Sequence, residues 1–371
     1  MSLRLCIVNP FQHGGGAEYQ ISLLIQALGQ HSPFDIYYLA RHVEEPAEVA
    51  GYRMVRIGKK AKVPVFGYIT DLLPLYRALR SIRPHVIYQR VACGYTGICA
   101  WYAQREGAQL IWHVAHDTDV MPRTLDTGRN FVRRRLEKLS VEFGLRHANR
   151  IVVQTLHQRE LLLREYGRSA DTLIPNFDRE PNQLPEKSRP PIVAWVANIK
   201  SWKRPEVFVR LASTLSDVAD ARFVMMGAAP GGARDGWLGS LLQSMGDTPN
   251  LSYVGQGRQD EVHALLGRAC IFVNTSLYEG FPNTFIQAWM RDTVVVSLDV
   301  DPDGVLSRQG AGICAGNEAT LAAAVRQLLT DPSSRLPYLE RARQYVRATH
   351  SLRNADRLVG LIEECGALAT C

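Results

Sequence analysis

Positively charged side chains gather in one loop in the second half of the sequence. The apolar segment that precedes the loop, Ile192–Val196, is typical of a buried strand. It is followed, before the next predicted helix, by Lys200, Lys203 and Arg204. Cations in such a loop can neutralise the negative charge that develops on a diphosphate leaving group. Because exposed lysines are common in loops, a solvated turn is the alternative interpretation.

An acidic turn follows a second predicted strand, at Cys270–Asn274. The turn contains Glu279, whose carboxylate could accept hydrogen bonds from sugar hydroxyl groups. Pro282 suits the first turn of the next helix, where unpaired N–H groups favour an anion. Gln287 lies four residues after Asn283 and therefore on the same helix face.

Three glycines, Gly14–Gly16, lie between a strand predicted at Leu3–Val8 and a helix predicted at Glu18–Leu28. Glycines let a backbone approach a phosphate closely, and the start of a helix favours negative charge. The spacing is not Gly-x-Gly-x-x-Gly, and no Gly-Lys-Ser/Thr follows, so neither common nucleotide-binding loop is present. A tight turn between strand and helix is the alternative interpretation.

Apolar runs of strand length alternate with helical patterns along the sequence, which favours βαβ units and parallel sheets. Residues 174–191 interrupt this alternation with five prolines and many polar residues, a composition typical of a linker. We therefore predict an α/β fold with two domains, in which ligands bind beyond the carboxyl ends of the strands. The predicted parts are an N-terminal domain at 1–174, a linker at 175–191, a C-terminal domain at 192–350 and a helix at 351–371 that could cross back to the first domain.

The three stretches together resemble the family-four retaining glycosyltransferases of GT-B fold. The resemblance covers nearly the whole chain and is strongest at 192–320. It implies two Rossmann-like domains with parallel sheets facing each other across a cleft. It also implies transfer of a sugar, with retained configuration, from a nucleotide-diphosphate sugar to a glycan or lipid-linked acceptor, as in bacterial surface polysaccharide synthesis. No cofactor and no metal are expected.

The resemblance assigns roles to individual residues and reveals two departures. Glu279 matches the glutamate near the donor sugar, and Lys203 matches the lysine that meets the diphosphate. The family's second glutamate is replaced by Gln287 and its arginine by Asn198, so that Lys200 or Arg204 would have to supply the missing charge. The backbone segments expected to surround the donor contain Gly15, Gly16, Phe281, Pro282, Asn283 and Thr284.

Polar residues also follow a strand predicted at Leu110–Val114. The family resemblance implies a histidine near the donor sugar and the acceptor, for which His113 is the first candidate and His116 the alternative. Asp117 and Asp119 form an Asp-x-Asp triplet, which in other glycosyltransferases binds a metal ion. Hard cations need several oxygen ligands and nothing nearby completes such a site, so contact with an acceptor hydroxyl is the preferred interpretation.

The formal net charge is +7, and no nucleic-acid-binding motif accompanies it. Several cations cluster on one predicted helix, which indicates either a solvated face or contact with an anionic membrane surface or a lipid-phosphate acceptor. These cations are Arg129, Arg133, Arg134, Arg135 and Lys138.

We expect the protein to be cytoplasmic, with a peripheral position at the inner face of the plasma membrane as an option. The sequence starts with a strand pattern rather than a signal peptide, and no run of 18 apolar residues occurs. Seven cysteines without metal-ligand spacing fit a reducing compartment. Two other functions remain open: a non-catalytic partner of another transferase, and another GT-B enzyme such as a sugar epimerase.

Overall fold

The computed structural model describes residues 2–12, 14–31, 34–43, 48–49, 51–58, 70–122, 131–218, 220–229 and 236–370. Contacts divide the chain into two compact units. Unit 1 consists of residues 1–176 together with 352–371, and unit 2 consists of residues 177–351.

Unit 1 is built on an eight-stranded sheet. Its strands are β1 (Leu3–Val8), β2 (Phe34–Ala40), β3 (Glu48–Val49), β4 (Tyr52–Arg56), β5 (Val86–Arg90), β6 (Gln109–His113), β7 (Arg150–Val153) and β8 (Thr172–Leu173). Their order is β3-β4-β2-β1-β5-β6-β7-β8. All neighbours pair in parallel except β3 and β4, which are antiparallel.

Helices connect these parallel strands, as crossover connections require. They are α1 (Gly16–Leu28), α2 (Leu72–Ile82), α3 (Gly94–Glu106), α4 (Asp117–Val120), α5 (Phe131–His147) and α6 (Leu156–Tyr166). The last helix of the chain, α13 (Arg353–Thr370), packs on α1, β5 and β6 and so belongs to unit 1.

Unit 2 repeats the architecture with a six-stranded parallel sheet in the order β11-β10-β9-β12-β13-β14. Its strands are β9 (Ile192–Val196), β10 (Arg222–Met226), β11 (Leu251–Tyr253), β12 (Ile271–Asn274), β13 (Val294–Ser297) and β14 (Gly312–Cys314). Its helices are α7 (Pro205–Thr214), α8 (Trp237–Gly246), α9 (Gln259–Arg268), α10 (Asn283–Trp289), α11 (Glu318–Thr330) and α12 (Leu336–Thr349).

The central strands of both sheets are apolar on both faces because helices cover both sides. In unit 2, Val193 and Val273 pack in one core cluster, whereas Ala194 and Phe272 pack in another. Two Rossmann-like α/β units with parallel sheets therefore confirm the predicted fold class.

The proline-rich segment before β9 is fixed to unit 2 by one lysine. Lys187 Nζ lies within hydrogen-bond distance of three backbone carbonyls, those of Gly267, Ala269 and Arg291, and of Thr293 Oγ1. Gly267 lies near the end of α9, so the ammonium group also meets the negative end of that helix dipole. The segment is therefore anchored along its last residues, although its composition is that of a linker.

Candidate active site

The loop after β9 turns sharply to place its cations at the carboxyl end of the strand. Residues Ser201–Lys203 form a single 3₁₀ turn, and Arg204 adopts a left-handed backbone conformation with φ of 46°. Pro205 then begins α7, where its missing N–H costs nothing. The positive φ at a non-glycine residue is an unfavourable conformation, which its surroundings must hold in place.

The Arg204 side chain holds this loop against the loop that follows β12. Its Nε donates to Thr275 O over 2.8 Å and its Nη2 to Ser276 O over 3.4 Å, and it pairs with Asp299. Lys200, in contrast, is exposed, with Nζ 4.9 Å from the centre of the Trp202 ring. Of the two cations that could replace the family's arginine, Lys200 is therefore the available one.

The loop after β12 brings Glu279 to Lys203. Glu279 Oε1 pairs with Lys203 Nζ, and the same oxygen accepts a hydrogen bond from Ser276 Oγ at 2.8 Å. The Lys203 side chain is 18% exposed and that of Glu279 is 12% exposed. The two residues singled out by spacing and resemblance thus form one ion pair that solvent still reaches.

Hydrogen bonds join the two loops at their bases. Thr275 Oγ1 donates to Lys203 O over 2.6 Å and accepts from Trp195 Nε1 at 2.9 Å. Leu277 N donates to Trp202 O over 2.8 Å. Thr275 and Ser276 were not predicted as site residues, although both stand within four residues of Glu279 and carry hydroxyl groups.

The start of α10 follows the acidic turn directly and is only partly accessible. Pro282 precedes the first helical residue, Asn283, and Asn283 and Thr284 are half-buried. The Phe281 ring is buried against Trp289 and His350. Gln287 is also buried, at 2% exposed. Of the residues expected to meet the donor here, Phe281 and Gln287 are therefore covered, whereas Asn283 and Thr284 are partly accessible.

Asn198, at the position of the family's arginine, makes a local contact. Its Oδ1 accepts from Ala228 N at 3.4 Å, which links the loops after β9 and β10. The two loops approach very closely, because a Cβ on Gly227 would lie 1.7 Å from Ala197 O. Asparagine here supports the turn and supplies no positive charge.

The glycine loop of unit 1 lies beside a carboxylate. Gly15 is the residue before α1, and Gly16 is the first residue of the helix. A Cβ on Gly15 would lie 2.4 Å from Glu18 Oε2, so glycine is required unless that side chain moves. Glu18 Oε1 accepts from Asn9 Nδ2 at 2.6 Å. The carboxylate thus occupies the first turn of α1, where the helix dipole favours negative charge.

His113, the first candidate for the ligand-facing histidine, is fully buried. Its Nδ1 shares a 2.8 Å hydrogen bond with Tyr88 Oη. Burial, and secondly the Arg90 charge, hold the pKa of His113 well below its usual value, while the backbone of Ile174 acts in the opposite direction. A neutral, buried imidazole cannot touch a ligand without rearrangement, so the expectation that His113 lines the site is corrected.

His116, the alternative, lies where the chain leaves β6. It is half-buried and precedes α4, and its Nδ1 accepts from Thr118 N at 3.2 Å. Thr118 Oγ1 lies 3.0 Å from the same nitrogen. His116 is therefore partly accessible, whereas His113 is not.

The aspartates near His116 support the backbone. Asp119 is 6% exposed, and its carboxylate accepts from Ala92 N at 3.1 Å and from Ala115 N and His116 N, both at 3.0 Å. These bonds leave Asp119 unsuited to bind an acceptor, which corrects that expectation. Asp117 is half-buried, and its Oδ1 accepts from Gln158 Nε2 at 3.0 Å.

A second Asp-x-Asp triplet, at residues 299–301, also makes its contacts within the fold. Asp299 pairs with Arg204, and Asp301 accepts from Leu306 N at 2.7 Å and Ser307 N at 3.1 Å. Across the part of the chain that the structure describes, no cluster of three or more histidine, cysteine or acidic residues could hold a metal ion.

Comparison with known families matches both halves of the chain to glycosyltransferase domains. Residues 15–176 match the model of the glycosyl transferase 4-like domain, and residues 190–331 match glycosyl transferases group 1. The chain is a glycosyltransferase of GT-B fold. A comparison with curated protein sequences gave no match.

Solved structures show the same fold as this glycosyltransferase at low sequence identity. HepE of Anabaena in complex with UDP-glucose has a TM-score of 0.73 and 13% identity, with 98% of this chain and 99% of that chain covered. A glycosyltransferase from Rickettsia africae has a TM-score of 0.68 and 15% identity, with 98% of each chain covered. WaaG, a glycosyltransferase of lipopolysaccharide biosynthesis, has a TM-score of 0.75 and 12% identity, with 96% of this chain and 99% of that chain covered.

The basic cluster of the glycosyltransferase lies on α5, which also exposes apolar residues. Val132, Leu136 and Leu139 are 69%, 48% and 54% exposed and follow helical spacing. The opposite face packs on α3, where a Cβ on Gly144 would lie 2.6 Å from the Thr96 side chain. The stripe Val132–Leu136–Leu139 therefore faces solvent.

Of the described cations of the cluster, Arg133 and Arg135 lie on either side of this stripe, whereas Arg134 and Lys138 point away from it, given 100° of rotation per residue. Arg134 and Arg135 are exposed, Arg133 is half-buried, and Lys138 pairs with Glu142 at 3.7 Å. Arg129 lies outside the described residues. In the described ranges, every helix is too short or too polar to cross a lipid bilayer.

Proposed function

We propose that this glycosyltransferase moves a sugar, with retained anomeric configuration, from a nucleotide-diphosphate sugar to a glycan or lipid-linked acceptor. The observation that carries the proposal is the Lys203–Glu279 pair, which two loops hold together at the carboxyl ends of β9 and β12. Sugar transfer from such a donor needs both groups at one place: a cation for the diphosphate and a carboxylate for the sugar hydroxyls.

The chemistry assigns each group a separate task. Breaking the bond between sugar and phosphate builds positive charge on the sugar and negative charge on the diphosphate. Lys203, assisted by the exposed Lys200, stabilises the leaving diphosphate, and this stabilisation grows as the bond breaks. Glu279 accepts hydrogen bonds from the sugar and orients it. Retention is taken from the family resemblance, and no covalent intermediate is proposed.

The acceptor side is assigned to unit 1. His116 and Asp117 lie at the carboxyl end of β6, where ligands bind in open α/β sheets. A role in bacterial surface polysaccharide synthesis fits the activity of WaaG, which has the same fold. UDP-glucose is the first donor to test, because HepE was solved in complex with it.

The stripe on α5 supports a peripheral position on an anionic membrane from the cytoplasmic side. An apolar row flanked by arginines is the pattern of a helix that lies in a lipid interface. The net charge of +7 adds a general attraction to anionic headgroups. A lipid-linked acceptor would be encountered at such a surface.

Donor binding is tested by calorimetric titration with UDP-glucose and with GDP-, ADP-, TDP- and CMP-linked sugars. Transfer is then measured by an assay for the free nucleotide that it releases. We expect one nucleotide sugar to bind, and Lys203→Met to weaken that binding by at least about tenfold. Arg326→Met is the matched control, because Arg326 pairs with Asp217 in an exposed ion pair of the same unit. Absence of binding by every donor would support a non-catalytic partner instead.

The membrane assignment is tested by co-sedimentation with vesicles of phosphatidylglycerol and phosphatidylcholine. The double variant Leu136→Ser/Leu139→Ser should lose most of its binding to anionic vesicles, because the lost apolar contacts anchor the helix. Leu336→Ser removes a similarly exposed leucine from unit 2 and should leave sedimentation unchanged. Equal sedimentation with neutral and anionic vesicles would contradict the assignment.

A further inference from the structure

The hydroxyl group of Ser276 reaches the Glu279 carboxylate, and the proposed function gives it no role. Ser276 Oγ donates to Glu279 Oε1 over 2.8 Å, and Lys203 contacts the same oxygen. Ser276 is only 2% exposed. Its hydroxyl is therefore directed at the carboxylate inside the loop and not at solvent.

The backbone on either side of Ser276 is fixed independently of its hydroxyl. Asn274 Oδ1 accepts from Ser276 N at 3.1 Å, and Arg204 Nη2 donates to Ser276 O. The next residue, Leu277, donates its N–H to Trp202 O. Because these three bonds do not involve the side chain, removal of the hydroxyl should leave the path of the loop unchanged.

We infer that Ser276 is a positioning residue for Glu279 in the proposed transfer reaction. Without a donor, Lys203 and Ser276 hold the same carboxylate oxygen. A diphosphate would draw the Lys203 ammonium group toward itself, because it carries more negative charge than the Glu279 carboxylate. The Ser276 hydroxyl then keeps Glu279 oriented toward the donor sugar.

The departure at position 198 strengthens this inference. Asn198 supplies no charge where the resembling family has an arginine, so more of the diphosphate charge falls on Lys203. A lysine that is needed at the diphosphate cannot also orient the glutamate. The inference rests on the proposed function and adds to it that the Ser276 hydroxyl orients Glu279 when Lys203 binds the diphosphate.

Calorimetry with a nucleotide sugar and with its nucleotide alone separates positioning from general loosening. For UDP-glucose and UDP, or the pair that the donor panel identifies, Ser276→Ala should weaken binding of the nucleotide sugar and lower kcat/KM by about tenfold. Binding of the nucleotide alone should change by less than about twofold, because it does not involve the sugar. Ser276→Thr, which keeps the hydroxyl, should recover most of the loss, and Ser244→Ala, at an exposed serine of α8, should have no effect.

A double-mutant cycle provides the decisive comparison. In the Glu279→Ala background, Ser276→Ala should cause almost no further loss, because the carboxylate that the hydroxyl orients is gone. Equal weakening of nucleotide and nucleotide-sugar binding, or a full additional loss in that background, would overturn the inference. If the wild type binds a nucleotide sugar and Ser276→Ala binds it equally well, the inference alone fails. If the wild type binds none, the proposed function fails and the inference with it.

Discussion

The two units carry polar side chains at the carboxyl ends of their strands but use them for different purposes. In unit 2, Lys203 and Glu279 pair with each other and remain partly exposed. In unit 1, His113 is fully buried against Tyr88, and Asp119 accepts three backbone hydrogen bonds. Titratable side chains occur in both regions, and their exposure and hydrogen-bond partners distinguish a group available for chemistry from one that holds the fold.

This difference predicts that substitutions in unit 2 affect activity far more than stability. Glu279→Gln should lower kcat/KM by at least about 100-fold, because a neutral amide binds the sugar hydroxyls and Lys203 less strongly than a carboxylate. The melting temperature should change little, since the pair is still reached by solvent and its Coulomb energy is screened. Steady-state kinetics and thermal denaturation of the same preparation check both parts. A near-normal kcat/KM, or a large fall in melting temperature, would contradict the proposed difference between unit 2 and unit 1.

Unit 1 should show the opposite pattern at Asp119. Asp119→Ala leaves three backbone N–H groups without their acceptor in a buried place, which should lower the free energy of unfolding by about 3 kcal/mol. Urea denaturation followed by tryptophan fluorescence measures this change. Asp217→Ala, which breaks an exposed ion pair in unit 2, is the control and should change stability little. An equally stable Asp119→Ala protein would show that the carboxylate does not hold this turn.

The burial of His113 predicts a dependence of stability on pH. The pKa of His113 lies well below its usual value in the folded state, so below about pH 6.5 the unfolded chain binds a proton that the folded chain does not. Stability should therefore fall as the pH drops, by about 1.4 kcal/mol per pH unit at most. His113→Gln should be less stable at pH 7.5 but should show a shallower decrease between pH 7.5 and pH 5.5. If the free energy of unfolding decreases equally with falling pH in the two proteins, a group other than His113 is responsible for the dependence.

The sequence predicted most of the fold because parallel strands and their helices leave strong apolar patterns. It predicted β9 with its observed bounds, Ile192–Val196, but missed β4, which carries Arg53 and Arg56 and has no clear apolar run. It also missed α8, where glycines at 239 and 246 weaken the helical pattern.

The candidate site was predictable where spacing along the chain decides the geometry, and not where distant residues do. Glu279 follows its strand within a short turn, so spacing and resemblance together placed it near Lys203. The choice between His113 and His116 depends on burial by Tyr88, which is 25 residues away from His113. The role of Asp119 likewise depends on Ala92 N, which belongs to the loop after another strand. No local pattern contains these contacts.

The departure at position 198 offers the smallest predicted effect and the sharpest test of the comparison. Asn198→Arg adds a cation to the loop after β9, and we expect the affinity for a nucleoside diphosphate to rise by about fivefold at low salt. The gain should shrink at high salt, because exposed charges are screened. Calorimetry at two ionic strengths measures both effects.

The control for this substitution separates a local contact from general attraction. Ser244→Arg adds the same charge on the exposed surface of α8 and should leave the affinity unchanged. Weaker binding by Asn198→Arg would mean that the bond from Ala228 N to Asn198 Oδ1 matters more than an added charge. In that case, Asn198 would have a structural role, as His113 and Asp119 do in unit 1. The loops of unit 2 would then also use polar side chains to hold the fold, and the Lys203–Glu279 pair alone would distinguish the two units.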